Sequence, residues 1–481
     1  MSKKHIYTQR IILLKNNISK LNSFWTYLKE ALTGSEKDFT KIPLKKAVFL
    51  LAIPMVLEMV MESIFAVVDI FFVGKLGAEA VAAVGITESL MTILYAVAFG
   101  LAMGTTALVS RRIGEKNNNE ASKEGLQAII TGIIISVIIA FPGAIFAKDL
   151  LALMGASDAV MEHHSGYTGI MFGGNIVIML LFINNAIFRG AGDAAIAMRI
   201  LWLANGLNII LDPILIFGFG PIPAMGVAGA AIATNIGRGV AVLYQLYILF
   251  KGSGRINIGL LKIKIDWQKI LHLFNISIGG IGQMLISTSS WVFLVRILST
   301  FGSEVVAAYT IAIRIVIFSI LPSWGLSNAA STLVGQNLGA KEPGRAEKAV
   351  WSVALINMVF LGLLGLLFIF IPAWFIELFT DDSYLIEVGQ TCLRIVAYGF
   401  AFYGIGMVMV HAFNGAGDTR TPTKINLVAF WLIEIPLAYF LAHKTTFNEN
   451  GVFYAIIIAE SFMTILALYY FRKGKWKEQV V

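Results

Sequence analysis

The chain has 481 residues, 57% of them apolar and 14% charged, with a mean hydropathy of +0.78. Soluble domains carry about 25% charged residues, so this composition excludes an ordinary water-soluble domain and requires lipid around much of the surface. One cysteine, Cys392, excludes an internal disulfide framework, and the net charge of +8 sits in tails and loops, which argues against a nucleic-acid partner.

Residues 1–46 form a basic tail with ten Lys/Arg against three acids. No apolar core of signal-peptide type lies there, so the tail is expected to be retained. Ile11, Leu14, Ile18 and Leu21 recur at helical spacing, which suits a helix lying on anionic lipid; a solvated tail that sets orientation is the plainer reading. Twelve apolar stretches follow, near 47–73, 80–110, 125–147, 167–188, 198–219, 225–250, 270–298, 305–335, 348–372, 390–412, 424–443 and 451–471. Each is long enough to cross a hydrocarbon core of roughly 30 Å. Spans 1–6 make an N-lobe at 47–250 and spans 7–12 a C-lobe at 270–471, with a second tail at 472–481. The connection at 251–269 carries Lys251, Arg255, Lys262, Lys264 and Lys269 with Gly252 and Gly254. It reads both as a hinge and as a plain basic loop.

The two halves repeat at an offset of 225 residues. Gly77-Ala78-Glu79-Ala80-Val81-Ala82-Ala83 returns as Gly302-Ser303-Glu304-Val305-Val306-Ala307-Ala308, and Gly190-Ala191-Gly192-Asp193 as Gly415-Ala416-Gly417-Asp418. Six spans per copy is an even number, so both copies enter the membrane from the same side and the repeat is parallel. The predicted fold is an all-α membrane protein of twelve transmembrane helices in two six-helix lobes related by that repeat. With the N-terminus inside, Lys75, Lys148 and Lys444 lie outside, Arg238, Arg296, Arg314 and Arg394 lie within spans, and the remaining 30 of 37 Lys/Arg lie inside. Both termini are therefore expected in the cytoplasm, in a multi-pass protein of the plasma membrane.

Ionisable groups inside a membrane cost several kcal/mol and mark function by default. In span 1, Glu62 lies about 40° and Asp69 about 20° around the helix from Glu58, so the three share one stripe. Pro54, one turn before Glu58, frees a carbonyl and allows a bend. In span 5, Asn205, Asn208 and Asp212 share a face. Thr234 on span 6 reaches the same level, and Asn184 and Asn185 close span 4. Plainer roles stand beside these: Glu58 and Glu62 as structural partners of an intramembrane arginine such as Arg238, Asp69 as a solvated interfacial acid, Asp212 as a cap before Pro213. The C-lobe keeps the frame without these acids, since Asp69 maps to Leu294 and Asp212 to Leu437; its main intramembrane carboxylates are Glu434 and Glu460. His163-His164 has no further ligand cluster, so no metal site is expected. No nucleophile–base pair points to an enzyme. The Gly-Ala-Gly-Asp motifs follow spans rather than strands and lack a Gly-Lys-Ser/Thr ending, so they read as left-handed helix caps, not phosphate loops.

Asp69-Ile70-Phe71-Phe72-Val73-Gly74-Lys75-Leu76-Gly77, Arg189-Gly190-Ala191-Gly192-Asp193, Asn208-Ile209-Ile210-Leu211-Asp212-Pro213 and Gly415-Ala416-Gly417-Asp418-Thr419-Arg420-Thr421-Pro422 resemble, in this order, motifs of the multidrug and toxic compound extrusion (MATE) transporters. The resemblance covers about 44–470. It implies an antiporter that exports organic cations and amphipathic drugs against inflowing H⁺ or Na⁺, with no other cofactor, as a monomer. The chain looks closer to the DinF-like branch, where Asp69, Asn208, Asp212 and Thr234 match ion-coupling residues and Pro54 the bending proline. Glu58 and Glu62 are additional to that pattern. The NorM-like branch relies on acids in spans 7 and 10, which are missing here.

These residues suggest that Asp69 and Asp212 load an ion, span 1 bends and the drug leaves. Oxygens of Asn208 and Thr234 could hold Na⁺, while the branch resemblance favours H⁺. The expected drug-binding walls, beside Asn184, Asn185 and Asn205, are Met55, Met59, Phe65, Phe402, Tyr403 and Met407. A flippase for a lipid-linked saccharide, drawing on Arg296, Arg314 and Arg394, and a non-transport membrane scaffold are the competing classes.

Overall fold

The computed structural model describes residues 25–34, 37–252 and 254–481. The positions Ile11, Leu14, Ile18 and Leu21 lie outside them. In lipid every backbone polar group must be satisfied within its own segment, so apolar runs of this length fold as helices. Among the described residues, eleven helices are long and apolar enough to cross a membrane, and a bent pair makes a twelfth crossing.

The N-lobe has α1 (Leu44–Gly74), α2 (Ala78–Gly114), α3 (Asn118–Ile145), α4a (Asp158–Gly173) with α4b (Asn175–Ala191), α5 (Ala194–Phe217) and α6 (Gly226–Lys251). The C-lobe has α7 (Trp267–Leu298), α8 (Ser303–Gly339), α9 (Pro343–Phe370), α10a (Ser383–Ala397) with α10b (Phe400–Ala416), α11 (Arg420–Lys444) and α12 (Asn450–Lys473). The pairs α2/α8, α3/α9 and α4b/α10b are offset by 225 at both ends, and so are the breaks at Gly174 and Gly399. The α10 halves meet at 59°. Spans 4 and 10 begin earlier than their apolar cores suggest, at Asp158 and Ser383; their first turns hold Asp, Glu, His and Ser, which hide a helix from a hydropathy reading. Gly192 and Gly417 both take the left-handed conformation, at φ +90° and +88°, and cap α4b and α10b.

Packing repeats the same symmetry. α1 lies against α5 and α8, and α7 against α11 and α2. The basic end of α1 thus joins a core of α8–α12 side chains: Leu51 and Met55 sit with Leu333, Val350 and Phe413. α2 and α8 cross at the seam. There an added Cβ at Gly114 would strike the Gln336 carbonyl, and one at Gly339 the Arg111 carbonyl, so the lobes close backbone to backbone at the face that carries the basic loops.

The inter-lobe connection is stitched to α3 rather than hanging loose. Asn257 N–H donates to Ser122 at 3.0 Å, Gln127 donates to the Lys264 carbonyl at 2.7 Å, and Ile256 and Ile258 enter the N-lobe core. At the same face Arg111 donates to the Gln479 carbonyl at 2.6 Å, drawing the C-terminal tail over the seam. Asp38 pairs with Lys116 at 2.7 Å. Burial pushes the Asp38 carboxyl up, but Lys116 and Thr40 outweigh it and hold it at about 2. Because this value is lowered, the tie is intact above the ordinary carboxylate range and is lost as pH falls toward about 2.

Gly339→Val is expected to lower stability by about 1–3 kcal/mol, as overpacking does, and to lengthen the distance between spin labels on Lys116 and Lys341. A label distance and melting temperature equal to wild type would contradict the tight seam.

Candidate functional site

A cavity of about 230 Å³ lies between the lobes. The repeat symmetry runs through its lining. Met59 faces it from α1 and Met284 from α7; Phe99 from α2 and Trp324 from α8; Thr106 and Ser331 stand at matched depth. Phe99 makes edge-on contacts with Phe182 at 4.8 Å and with Trp324 at 5.9 Å, bridging the lobes. Met103, Met407 and Met463 complete a soft, adaptable wall.

The charged side belongs to the N-lobe. Glu58 is 1% exposed and accepts from Arg189 Nη1 at 2.8 Å and Asn185 Nδ2 at 3.2 Å. Asn185 in turn accepts from Gln245 at 2.7 Å. One turn on, Glu62 accepts from Asn205 at 3.1 Å and meets Arg238 at 3.7 Å, a longer pair. Arg238 lies 5.6 Å above the Phe65 ring, and its Nη1 is buried without a hydrogen-bond partner. It also feels the charge of Asp69, the next acid along the α1 stripe.

Behind this wall lies the α5–α6 cluster. Asp212 is wholly buried, with Asn208 and Thr234 beside it. Its hydrogen-bond network orients the Asn208 amide so that nitrogen donates to Asp212 Oδ2 at 2.6 Å and oxygen accepts from Thr234 at 3.0 Å. Asp212 Oδ1 has no partner. Asp69 is half-buried and interacts electrostatically with Asp212. No cation pairs with Asp212 among the described residues, which leaves a proton or a small cation to neutralise it.

Of the residues expected around a substrate, Asn185, Met59, Tyr403 and Met407 line the cavity. Met55 does not; it is 1% exposed and packs into the α8–α12 core, because α1 leans on α8 at that turn. Phe65 instead supports Arg238. Asn184 and Phe402 point elsewhere, and Asn205 acts through Glu62. Pro54 lies inside an unbroken α1. Arg189 was missed as a site residue because it sits in a motif that looks like a loop; it stands in the last turn of α4b and takes Glu58, leaving Arg238 to Glu62. Its counterpart 225 residues on, Asn414, also lines the cavity and exchanges two hydrogen bonds, 3.0 and 3.1 Å, with Gln283, the counterpart of Glu58. Comparing the halves position by position could have found both pairs.

The MatE family model matches residues 54–214 and again 280–440, once per repeat. The chain belongs to the MatE family. It is a multi-pass membrane transporter of two six-helix lobes. It is 26% identical over 444 residues to the probable multidrug resistance protein NorM of Thermotoga maritima, covering 91% of this chain and 94% of that one. It is also 26% identical over 432 residues to the multidrug export protein MepA of Staphylococcus aureus, covering 89% and 94%. A solved structure described as the outward-facing conformation of a multidrug resistance MATE family transporter of the MOP superfamily superposes with a TM-score of 0.87 at 26% identity, covering 93% of this chain and 99% of that one.

Arg189→Met strands the Glu58 charge in the protein interior, and the expected loss of stability is about 3–5 kcal/mol. Adding Glu58→Gln should restore most of it. Thermal unfolding of the purified single and double variants measures both; a double variant no better than the single would refute the pairing as the cause.

Proposed function

We propose that this transporter is a cation-coupled antiporter that exports amphipathic drugs, organic cations among them, across the plasma membrane with both termini in the cytoplasm. The observation that carries this reading is a Met- and aromatic-walled cavity set directly against carboxylates of one lobe. Apolar walls accept many shapes, while Glu62, held by the Asn205 amide and only a long pair to Arg238, offers a charge that a cationic substrate can take.

The closed seam at the basic face corresponds to an outward-facing state. From outside, Asp69 and Asp212 load an ion. Neutralising Asp69 removes one of the two carboxylates that share Arg238, and the guanidinium turns fully to Glu62. Glu62 then holds a cationic substrate less well, and the substrate leaves. By reciprocity, bound substrate drives the ion off the acids. A membrane potential favours the inward movement of each positive charge by about 2.3 kcal/mol per 100 mV. A proton fits better than Na⁺, because the Asn208 oxygen is already engaged by Thr234. This assignment of coupling to Asp69, Asp212, Asn208 and Thr234 agrees with the DinF-like pattern, and the protein works as a monomer in it. A flippase for a lipid pyrophosphate fits less well: Arg189 and Arg238 in the lining are offset by Glu58 and Glu62, and Arg296, Arg314 and Arg394 do not line the cavity.

In vesicles with pH and Na⁺ gradients imposed separately, dye efflux is expected to follow the pH gradient. Asp69→Asn should abolish gradient-driven efflux and leave a folded, inserted protein. Unchanged transport by that variant would refute the coupling role of Asp69.

A further inference from the structure

The C-lobe carries a buried acid pair that the mechanism above does not use. Glu434 on α11 is 1% exposed, and its Oε2 has no hydrogen-bond partner. Glu460 on α12 also has a buried, unpartnered Oε2, and the two side chains interact electrostatically. Neither has an ion-pair partner among the described residues. The groups facing them are the Ser290 hydroxyl of α7, which bonds Glu434, the Tyr309 hydroxyl of α8, and the Tyr403 hydroxyl of α10b beside Glu460; Cys392 of α10a lies near Tyr309.

The local backbone explains how Glu434 reaches this place. Pro436 has no N–H to give to the preceding turn, and α11 runs as a π-helix over Leu427–Glu434 before it. Such wide turns recur at functional sites. This one places Phe430 at the cavity wall and Glu434 behind it, and Met463, one turn along α12 from Glu460, lines the cavity too. The repeat supplies a second, independent argument. Shifted by 225, Glu434 falls on Ile209 and Glu460 on Asn235, each adjacent to an N-lobe cluster residue, Asn208 and Thr234. The pair lies on the same two spans of its repeat, one residue along the chain from the positions matching Asn208 and Thr234.

We infer that Glu434 and Glu460 form a second proton site, two buried acids that hold one proton between them, which loads from the cavity past Tyr403 and carries that proton through the transport cycle. Two carboxylates buried with unpartnered oxygens and no counter-charge cannot both stay ionised. The Ser290, Tyr309 and Tyr403 hydroxyls beside them are too few for the oxygen shell that a metal cation needs. The proton comes from water in the cavity and returns to water when the lobe faces the other side; no bond other than O–H forms or breaks. The site itself does not depend on the antiport reading, but its part in coupling does.

The test has two arms, on full-length protein. In the first, infrared spectra at neutral pH compare wild type with Glu434→Gln, Glu460→Gln and the double variant. The double variant should lose the protonated-carboxyl band of about one group, and added Na⁺ should leave the wild-type band unchanged. An undiminished band in the folded double variant, or a band abolished by Na⁺ in wild type, overturns the proton site. In a single variant the remaining acid keeps the proton, so its band should shift in frequency rather than vanish; an unshifted band in both single variants overturns the site if the double variant fails to fold. In the second arm, the steady-state dye gradient is measured against the imposed pH gradient in vesicles. The slope should fall by about one proton per substrate in the double variant. A lost band with an unchanged slope overturns the part in coupling while leaving the site; loss of all pH-driven transport in wild type would instead bring down the antiport reading.

Discussion

A carboxylate withdrawn from water must find a counter-charge, a set of donors or a proton, and the acids of this membrane interior divide according to which they find. Glu58 has a guanidinium and an amide within 3.2 Å and is a fixed ion pair. Glu62 has an amide and a guanidinium at 3.7 Å, so its neutralisation is partial. Asp212 has one amide donor and no cation, and Glu434 only a hydroxyl. The order runs from groups satisfied by the protein itself to groups that need something from solution. Transport chemistry belongs at the second end, because only an acid left short of partners gains from exchanging an ion.

Duplication explains how such a gradient arises within one chain. Both copies build the same frame, to the residue in α2/α8 and α4b/α10b. At one pair of matched positions the N-lobe holds Glu58 with Arg189, and the C-lobe Gln283 with Asn414. The ion pair, engaged through Glu58 Oε1 while Oε2 stays unpartnered, and the reciprocal amide pair sit at matched positions of the two lobes. The charged version brings a fixed field to one wall of the cavity, and the neutral version does not. The lobes thus keep equivalent packing and differ in electrostatics.

Much of this was legible before folding. Period and length gave the spans, the offset of 225 gave the parallel repeat, and helical angles put Glu58, Glu62 and Asp69 on one stripe. Spacing likewise brought Asn208 and Asp212 together. What stayed hidden depends on directions that sequence spacing does not encode. Met55 and Met59 are one turn apart on α1, yet one is shut into the α8–α12 core and the other faces the cavity, because α1 crosses from one lobe to the other between them. The partner of Glu58 was hidden because Arg189 precedes a glycine cap and reads as a loop cation. The connection at 251–269 has the composition of a hinge, but its backbone is spent on α3.

That last point moves the burden of any lobe motion onto α1 and α7. Each starts in the packing of the opposite lobe, and α1 then runs to the acids of its own. Pro54 sits at this crossover: it cannot donate to the Leu50 carbonyl, and at the next residue the Met55 carbonyl is pressed against Gly325 of α8. The basic half of α1 is therefore held by the C-lobe, and the half bearing Glu62 and Asp69 is held by α5 and α6. A change of charge on the second half alters what Arg238 and Asn205 pull on, while the first half stays fixed to α8. The weakest point of the ladder between them is the turn at Pro54, so under the proposed coupling strain from charge neutralisation would collect there and reach the seam through Gly325.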